Sequence, residues 1–356
     1  MLVFDAHLDL SLNAIEFNRD LRLSLEQIRT AEADMRDHKC RAKNTVTFAE
    51  MRKAGIGICV ATQIAGCMKP PGPVGVWESP EQAWAMTQGQ LAWYNAMEDA
   101  GEMKMISTSA ELSRHLASWN ADPDSTPIGF ILSLEGADSV RTLADLETAW
   151  NYGLRAIGPA HYGVGRYAMG HDQSGPLSAQ GKELIREMDR LGLLLDLTHL
   201  CEQTFWDTLE IHQGPVWASH HNCRALVDDP RQLTDEQIRA VAERDGVLGL
   251  AFDAWMIMPG WIRQKTTPQS SGVTIENAVD HIDHICQLLG TTKHVGIGTD
   301  LDGGFGTEQS PLDLNSIADI RRVLDILKTR GYSTEDITAI AHGNFVECAL
   351  HALPSH

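Results

Sequence analysis

The sequence has few features that would tie it to a membrane or to nucleic acid. No apolar stretch approaches the roughly 20 residues that cross a bilayer. The amino terminus has no basic segment followed by an apolar run and a cleavage site. The formal net charge is −19, which repels phosphate backbones. We therefore expect a cytoplasmic protein that binds neither membranes nor nucleic acid.

Paired cysteines are also missing. The chain has seven cysteines, an odd number, and no two of them have the CxxC spacing of thiolate metal sites. We expect them to be buried or incidental thiols in a reducing cytoplasm, not a disulfide framework.

Short apolar runs alternate with helical patterns along the chain. Eight runs are predicted to be β-strands because they are β-rich and bounded by turns. They are Leu2–Ala6, Gly57–Ile64, Gly129–Leu134, Leu154–Ala160, Leu193–Thr198, Pro215–Ser219, Gly246–Phe252 and His294–Thr299. Nearly all-apolar strands separated by helices indicate a parallel sheet covered on both faces. Eight of them favour a (β/α)₈ barrel, predicted as one domain over residues 1–356.

Helices are predicted in most gaps between strands and after the last one. They are Pro80–Gly101, Leu143–Tyr152, Ala179–Leu191, Gln203–Glu210, Asp235–Glu243, Ile275–Leu289, Ser316–Arg330 and Thr334–Leu350. Thr234 precedes Gln237 by three residues, which predicts a capping box, and Gly192 and Gly290 are predicted left-handed C-caps. Two long loops, Gly66–Ser79 and Met256–Gly272, follow strand ends and are expected to overhang one barrel face as lids or subunit contacts.

Metal-capable side chains follow the predicted strands at the ends that share one barrel face. His7 and Asp9 are two residues apart, so both can point to the same side of their strand. With Glu135, His199 and His220 they make three imidazoles and two carboxylates, a donor set that suits zinc and, less selectively, manganese or cobalt. Five ligands exceed the needs of one tetrahedral ion. We infer two zinc ions bridged by Glu135, with a shared hydroxide as the nucleophile.

Each candidate ligand has a structural alternative. A single histidine at a strand end usually makes structural hydrogen bonds, and Asp9 alone could be a helix N-cap. His281 and His284 are expected on an exposed, charged helix face. His221 is expected to point away from its neighbour His220.

Ordered motifs over nearly the whole chain resemble those of the membrane dipeptidase (renal dipeptidase) family of binuclear zinc peptidases, within the wider amidohydrolase-like barrels. The motifs are DAHLDL (Asp5–Leu10), SLEG (Ser133–Gly136), the strand-end His161, DLTH (Asp196–His199), ASH (Ala218–His220), DDPRQLTDEQI (Asp228–Ile238) and GIGTDLDG (Gly296–Gly303). One departure is Asp253, where relatives often carry an aromatic hydroxyl.

The resemblance implies roles for the site residues. His7, Asp9 and Glu135 would hold one zinc ion, while Glu135, His199 and His220 would hold the other. His161 would touch the substrate carbonyl and its oxyanion, and Arg231 would grip the terminal carboxylate of the substrate. Asp300 would move the proton from the attacking water to the leaving amine. The resemblance further implies dipeptides as substrates, tolerance of a D-residue at the carboxyl-terminal position, and a possible homodimer.

Two alternatives stay open. The first is another reaction on the same scaffold, such as deamination or hydrolysis of a β-lactam, an N-acyl amino acid or a lactone. Many enzymes of that wider group use HxH on the first strand and a carboxylated lysine as bridge, whereas this chain has HxD and no lysine at the end of a central strand. The second, a non-catalytic metal-binding barrel, would have no chemical need for both Asp300 and Arg231.

Overall fold

The computed structural model of the protein describes residues 1–67 and 76–355, and the elements below are those of the described residues. The strands, in chain order, are β1 (Val3–Leu8), β2 (Ile56–Ile64), β3 (Gly66–Cys67), β4 (Val76–Trp77), β5 (Met103–Met105), β6 (Ile128–Glu135), β7 (Leu154–Gly158), β8 (Leu194–Asp196), β9 (Val216–Trp217), β10 (Leu248–Leu250) and β11 (Val295–Ile297).

Eight of these strands form a parallel barrel. The order is β10, β11, β1, β2, β6, β7, β8 and β9. The two ends of this order meet where Ala218, just after β9, pairs in parallel with Leu248 of β10. The amide of Ala218 donates to the carbonyl of Val247 (2.9 Å), and the amide of Gly249 donates to that of Ala218 (2.8 Å). The sheet is thus closed, and the predicted (β/α)₈ barrel is confirmed.

The eight predicted strands are all present, with shifted ends. β9 keeps only Val216 and Trp217, because the chain then turns to carry His220. β5, which the sequence pattern does not predict, pairs in parallel with the first residues of β6. Its three residues, Met-Lys-Met, are too few to show a period. The predicted loop Gly66–Ser79 contains the paired strands β3 and β4, and its residues 68–75 lie outside the described residues.

Helices surround the barrel. They are α1 (Leu10–Ile15), α2 (Leu25–Ala31), α3 (Phe48–Ala54), α4 (Pro80–Asp99), α5 (Ser109–Ala121), α6 (Leu143–Asn151), α7 (Ala179–Leu191), α8 (Glu202–Ile211), α9 (Asp235–Glu243), α10 (Ala254–Ile257), α11 (Pro268–Ser271), α12 (Ile275–Leu289), α13 (Arg321–Thr329), α14 (Thr334–Thr338) and α15 (Asn344–Ala352). Short 3₁₀ turns span Ala137–Ser139 and Ile317–Ile320, and a π-helical turn spans Ala339–Gly343. Across the described residues, every helix is too short or too polar to cross a bilayer.

The predicted helix signals are confirmed. Thr234 and Gln237 form a capping box on α9, and Gly192 and Gly290 end α7 and α12 in left-handed conformations, with φ of 70° and 67°. α5 was not predicted, although Thr108 and Glu111 form the same kind of capping box at its start.

The expectation for His281 is wrong. This residue is fully buried, and its Nδ1 accepts a hydrogen bond from the amide of Cys223 (3.1 Å). α12 packs this face against the barrel, so His281 lies inside and only His284, paired with Asp235 at 2.7 Å, lies nearer the surface.

The barrel interior changes character along its axis. Phe4, near the amino end of β1, stacks on Phe345 of α15 with ring centroids 5.4 Å apart, and Trp217 of β9 meets the same ring edge-on at 5.9 Å. On β6, Ile131 and Glu135 point to the same side, because side chains two and four residues apart share one face of a strand. Over four residues of β6, the side chains that face the barrel interior therefore change from apolar to a carboxylate.

Candidate metal centre

The structure gathers the sequence-predicted site residues at the carboxyl ends of the barrel strands. His7 lies near the end of β1 and Glu135 ends β6, while the others stand in the loops that follow β1, β7, β8, β9 and β11. These loop residues are Asp9, His161, His199, His220 and Asp300. Arg231, in the long segment between β9 and α9, reaches the same place.

Glu135 lies at the centre of the three candidate histidine ligands. Its Oε1 is 3.1 Å from Nε2 of His199, 3.5 Å from Nε2 of His220 and 3.7 Å from Nε2 of His7. The Nε2 atoms of His199 and His220 are 3.0 Å apart. Three imidazoles thus present the same ring nitrogen to one carboxylate oxygen, and nitrogen and oxygen donors gathered in this way suit zinc.

Three overlapping donor sets can be drawn from the described residues. They are His7, Asp9 and Glu135; Glu135, His199 and His220; and His7, His220 and Asp300. The ligand atoms of each set lie within 4.8 Å of one another. The first two sets are the ones expected from the sequence; as metal ligands their members stay predictions.

Two polar atoms in the first set have no hydrogen-bond partner in the described part of the chain. They are Nε2 of His7 and Oδ1 of Asp9, both buried and 3.8 Å apart. Asp9 does occupy the N-cap position of α1, but its side chain makes no cap hydrogen bond. Leaving such groups unpaired costs about 1–3 kcal/mol each. These residues therefore fit a divalent cation, and N-capping does not explain the Asp9 carboxylate.

Two further carboxylates, which were not predicted as site residues, accept hydrogen bonds from the backbone beside the candidate ligands. Asp5 accepts hydrogen bonds from the amide of His7 (3.2 Å) and from the amide and hydroxyl of Thr299 (2.8 and 2.6 Å). Asp196 accepts from the amides of Thr198 and Ser219, next to His199 and His220. Each ties two strand ends together. Their signal in the sequence is an aspartate two or three residues before a ligand histidine.

Backbone strain marks two of the site residues. His199 and Asp300 have φ of 68° and 57°, in the left-handed region that side chains other than glycine seldom adopt. Next to Asp300, a Cβ on Gly303 would lie 2.0 Å from Oδ1 of the aspartate, so only glycine leaves room for this carboxylate. Strain of this kind persists where the surrounding structure holds a functional geometry in place.

One side of the centre is acidic. We call His7, Asp9 and Asp300 the acidic half. Burial disfavours the charged form of His7, but the carboxylates of Glu135, Asp9 and Asp300 outweigh it and raise the pKa of His7 to about 10. Burial raises the pKa of Asp300 well above its ordinary value, against the lowering effect of His7. Burial likewise raises the pKa of Glu135, between the halves, to about 8.

The opposite side is basic, and we call His199, His220 and Arg231 the basic half. Burial, reinforced by the positive charge of Arg231, lowers the pKa values of His199 and His220 well below the ordinary histidine value. Both imidazoles are thereby kept neutral, the form that binds metals. His161 packs at 4.6 Å, ring to ring, against His199, and burial lowers its pKa to about 4.

Arg231 is 1% exposed and has no acidic side chain within ion-pair distance in the described part of the chain. Its Nη2 donates to the carbonyl of His220 (2.9 Å) and lies 3.4 Å from Nε2 of His199. Its Nη1 lies 3.3 Å from Nδ1 of His221, so His221 contacts the guanidinium and belongs to none of the donor sets, as expected.

A cleft of about 150 Å³ opens over this centre. Besides charged site residues it is lined by Leu12, Ile64, Val76, Tyr162, Trp255 and Met256. Arg263, from the predicted overhanging loop Met256–Gly272, stacks over the Trp255 ring at 4.1 Å and donates to the hydroxyl of Tyr162 (3.3 Å). Arg263 therefore brings that loop to the edge of the cleft.

Asp253 lines the wall of the cleft. It accepts hydrogen bonds from Nε1 of Trp255 (2.7 Å) and from Nε2 of Gln309 (2.8 Å). Burial raises the pKa of Asp253 to about 6, although these hydrogen bonds lower it.

Comparison with known proteins gives a family and a fold. The family model described as "Membrane dipeptidase (Peptidase family M19)" matches residues 1–351. A Klebsiella pneumoniae protein described as an uncharacterized protein in the pqqA 5′ region is 29% identical over 242 residues, which cover 65% of this chain and 83% of that protein. Dipeptidase tcpJ of Claviceps purpurea is 29% identical over 226 residues, which cover 61% of this chain and 50% of that protein.

Solved structures share the whole barrel. A metallo peptidase from Rhodobacter sphaeroides, liganded with a phosphinate mimic of the dipeptide L-Ala-D-Ala, superposes with a TM-score of 0.77 and 22% identity. The superposition covers 99% of each chain. At this identity the likeness shows the common fold.

Proposed function

The chain belongs to the membrane dipeptidase family, peptidase family M19, and from that premise we propose that it is a zinc-dependent dipeptidase. It would hydrolyse the peptide bond of dipeptides, including those with a D-residue at the carboxyl-terminal position. Two zinc ions would be held by His7, Asp9 and Glu135 and by Glu135, His199 and His220, with manganese or cobalt as substitutes.

The observation that carries this proposal is the buried guanidinium of Arg231, which has no acidic side chain within ion-pair distance among the described residues. A buried guanidinium without an anion is costly, and a substrate carboxylate would relieve that cost through a bidentate pair. Arg231 lies against His199, at the edge of the donor cluster. A carboxylate bound there would place the last peptide bond of the substrate nearest to Glu135. The small cleft leaves little space for a longer peptide.

Zinc ions held by these residues would supply a water nucleophile at neutral pH and would polarise the scissile carbonyl. Asp300, with Oδ1 3.9 Å from Nε2 of His7, accepts a proton from the attacking water. As the carbon–nitrogen bond breaks, Asp300 delivers that proton to the leaving amine, so the carboxylate is regenerated. Burial raises the pKa of Asp300, which makes this carboxylate a stronger proton acceptor than an ordinary aspartate.

His161 stabilises the negative charge that develops on the carbonyl oxygen. Burial keeps this imidazole neutral, since its pKa is lowered to about 4. A neutral imidazole carries one N–H, which can donate to the oxyanion at the top of the barrier. Arg231 holds the carboxylate end of the substrate throughout, so the reacting carbonyl stays over Glu135.

Tolerance of a D-residue follows from how the substrate is held. A single contact with the substrate carboxylate orients the terminal residue without selecting between the L and D configurations at its Cα atom. The Rhodobacter sphaeroides relative, whose ligand mimics L-Ala-D-Ala, supports this part of the proposal.

The test is an assay of the purified, zinc-loaded protein with several substrates side by side. We expect hydrolysis of L-Ala-L-Ala and L-Ala-D-Ala, about 100-fold weaker hydrolysis of the dipeptide amide, which lacks the carboxylate, and none of a tripeptide. An N-acyl amino acid, a lactone and a β-lactam test the alternative amidohydrolase reactions. A protein that holds two zinc ions and leaves every dipeptide intact would refute the dipeptidase proposal.

A further inference from the structure

One buried histidine beside the metal centre has no assigned role. His171 lies in the loop between β7 and α7, is 6% exposed, and places its Nδ1 3.2 Å from Nδ1 of His199. The other ring nitrogen of His199, Nε2, is the one that lies 3.1 Å from Glu135. His199 therefore stands between His171 on one side and the shared carboxylate on the other.

The backbone holds His171 in this position. Gly170, the preceding residue, forms an antiparallel bridge with Leu200, next to His199. The amide of Cys201 donates to the carbonyl of Met169 (3.0 Å). A Cβ on Gly170 would lie 2.1 Å from the carbonyl oxygen of His161, so the loop can pass here only with glycine. The path of the chain, rather than a side-chain rotamer alone, thus presents His171 to His199.

The other two candidate histidine ligands, His7 and His220, have a different kind of partner at Nδ1. That atom of His7 lies 3.4 Å from the hydroxyl of Thr62, and that atom of His220 lies 2.9 Å from the hydroxyl of Ser219. A hydroxyl can donate or accept by rotating, so it adapts to either tautomer. An imidazole nitrogen cannot rotate in this way. When the Nδ1 of His171 carries no hydrogen, that atom can only accept a hydrogen bond. The donor must then be the Nδ1–H of His199.

We propose that His171 is a positioning residue for the metal centre, whose Nδ1 accepts the Nδ1–H of His199 and leaves the Nε2 lone pair of His199 aimed at the cation site beside Glu135. This inference rests on the metal binding in the proposed function, and it needs no substrate. Outer partners of this kind orient ligand histidines and increase their basicity, and losing one typically weakens metal binding about 10–100-fold.

The experiment measures the affinity of the full chain for both zinc ions by competition with a chromophoric chelator. Two polar variants are compared, His171→Asn and His171→Gln. The Asn amide can occupy the place of the histidine Nδ1, whereas the Gln amide reaches the place of Nε2. We expect His171→Gln to weaken the binding of one of the two zinc ions about 10–100-fold. The zinc affinities of His171→Asn should stay within a few-fold of those of the wild type.

A spectroscopic signature and a control complete the design. Cobalt-substituted His171→Gln should show an altered visible absorption spectrum, while His171→Asn should resemble the wild type. His115→Gln is the matched control, because His115 is also buried and its Nε2 lies 2.8 Å from the carbonyl of Gly57, away from the centre. Its zinc affinities should be unchanged.

Equal affinities in His171→Asn and His171→Gln, or equal weakening of both ions, would overturn the proposal. A wild-type protein that binds two zinc ions but hydrolyses no dipeptide would refute the dipeptidase proposal and leave this inference standing. The two failures are therefore distinguishable.

Discussion

The acidic and basic halves of the centre share Glu135 but are built differently. In the acidic half, Asp9 and Asp300 surround His7 together with the shared Glu135, and two atoms, Nε2 of His7 and Oδ1 of Asp9, have no hydrogen-bond partner in the described part of the chain. In the basic half, neutral imidazoles lie against a buried guanidinium. The acidic half suits a cation and a proton transfer. The basic half suits neutral histidine ligands beside a bound carboxylate. One cleft thus has opposite electrostatic environments on its two sides.

The largest expected effect breaks the acidic half. Asp300→Asn keeps the shape of the side chain but removes its capacity to accept a proton, so we expect kcat to fall about 10²–10⁴-fold. Zinc content should stay near two per chain, because the expected ligands are unchanged. Turnover and elemental analysis of the same preparation test both statements. Loss of both ions would show that Asp300 is structural.

The next effect breaks the basic half. Arg231→Gln removes the charge that would pair with the substrate carboxylate, so kcat/KM for dipeptides should fall about 100-fold. The rate with the dipeptide amide should change much less, so the variant loses the preference for a free carboxylate. Arg244→Gln is the control, since Arg244 donates to backbone carbonyls of His212 and Gly214, outside the cleft. An equal loss on dipeptide and amide would contradict the assignment of Arg231.

Metal removal compares the halves directly. The carboxylates of the acidic half attract a cation, whereas Arg231 repels one from the basic half, so a chelator should remove the two ions in separate phases. We expect dissociation constants at least about 10-fold apart, with the basic half emptied first. Asp9→Asn should narrow or reverse the difference between the two dissociation constants. Simultaneous loss of both ions would mean that their shared ligand outweighs the difference between the halves.

The smallest effect concerns Asp253, a buried carboxyl outside both halves. Its pKa is raised from 3.8 to about 6, mainly by burial. The folded chain therefore binds this proton more tightly than the unfolded chain does. The resulting stability is fully present below pH 3.8 and is lost as the pH rises to about 6.

Asp253→Asn should remove this dependence. Between pH 4 and pH 7 the Tm of the wild type should fall by ~2–5 °C more than that of the variant. Thermal melting of both zinc-loaded proteins at the two pH values measures the difference. Parallel pH profiles would show that Asp253 titrates alike in the folded and unfolded chains.

Much of this molecule could be predicted from local patterns. The eight barrel strands are predictable because apolar runs and turns report strand burial directly, whereas β5 has too few residues to show a period. His7, Glu135, His199, His220 and Asp300 could be selected because each follows a strand, and parallel strands bring their carboxyl ends to one face. His281 was misplaced because its charged neighbours suggested an exposed face, and only packing shows which side of α12 is covered.

The amino-acid sequence by itself therefore determined the barrel, its family and the donor set at one end, since these depend on periodicity and on the order of residues along the chain. Only the tertiary structure decided that His171 meets His199 and that Asp196 ties together the turns of His199 and His220. It also decided that Arg231 is buried with no acidic side chain within ion-pair distance in the part of the chain that the structure describes. These contacts join loops whose paths depend on packing and on close approaches such as that of Gly170 to His161. No local pattern records them, because side-chain distance across a barrel is not a function of separation along the chain.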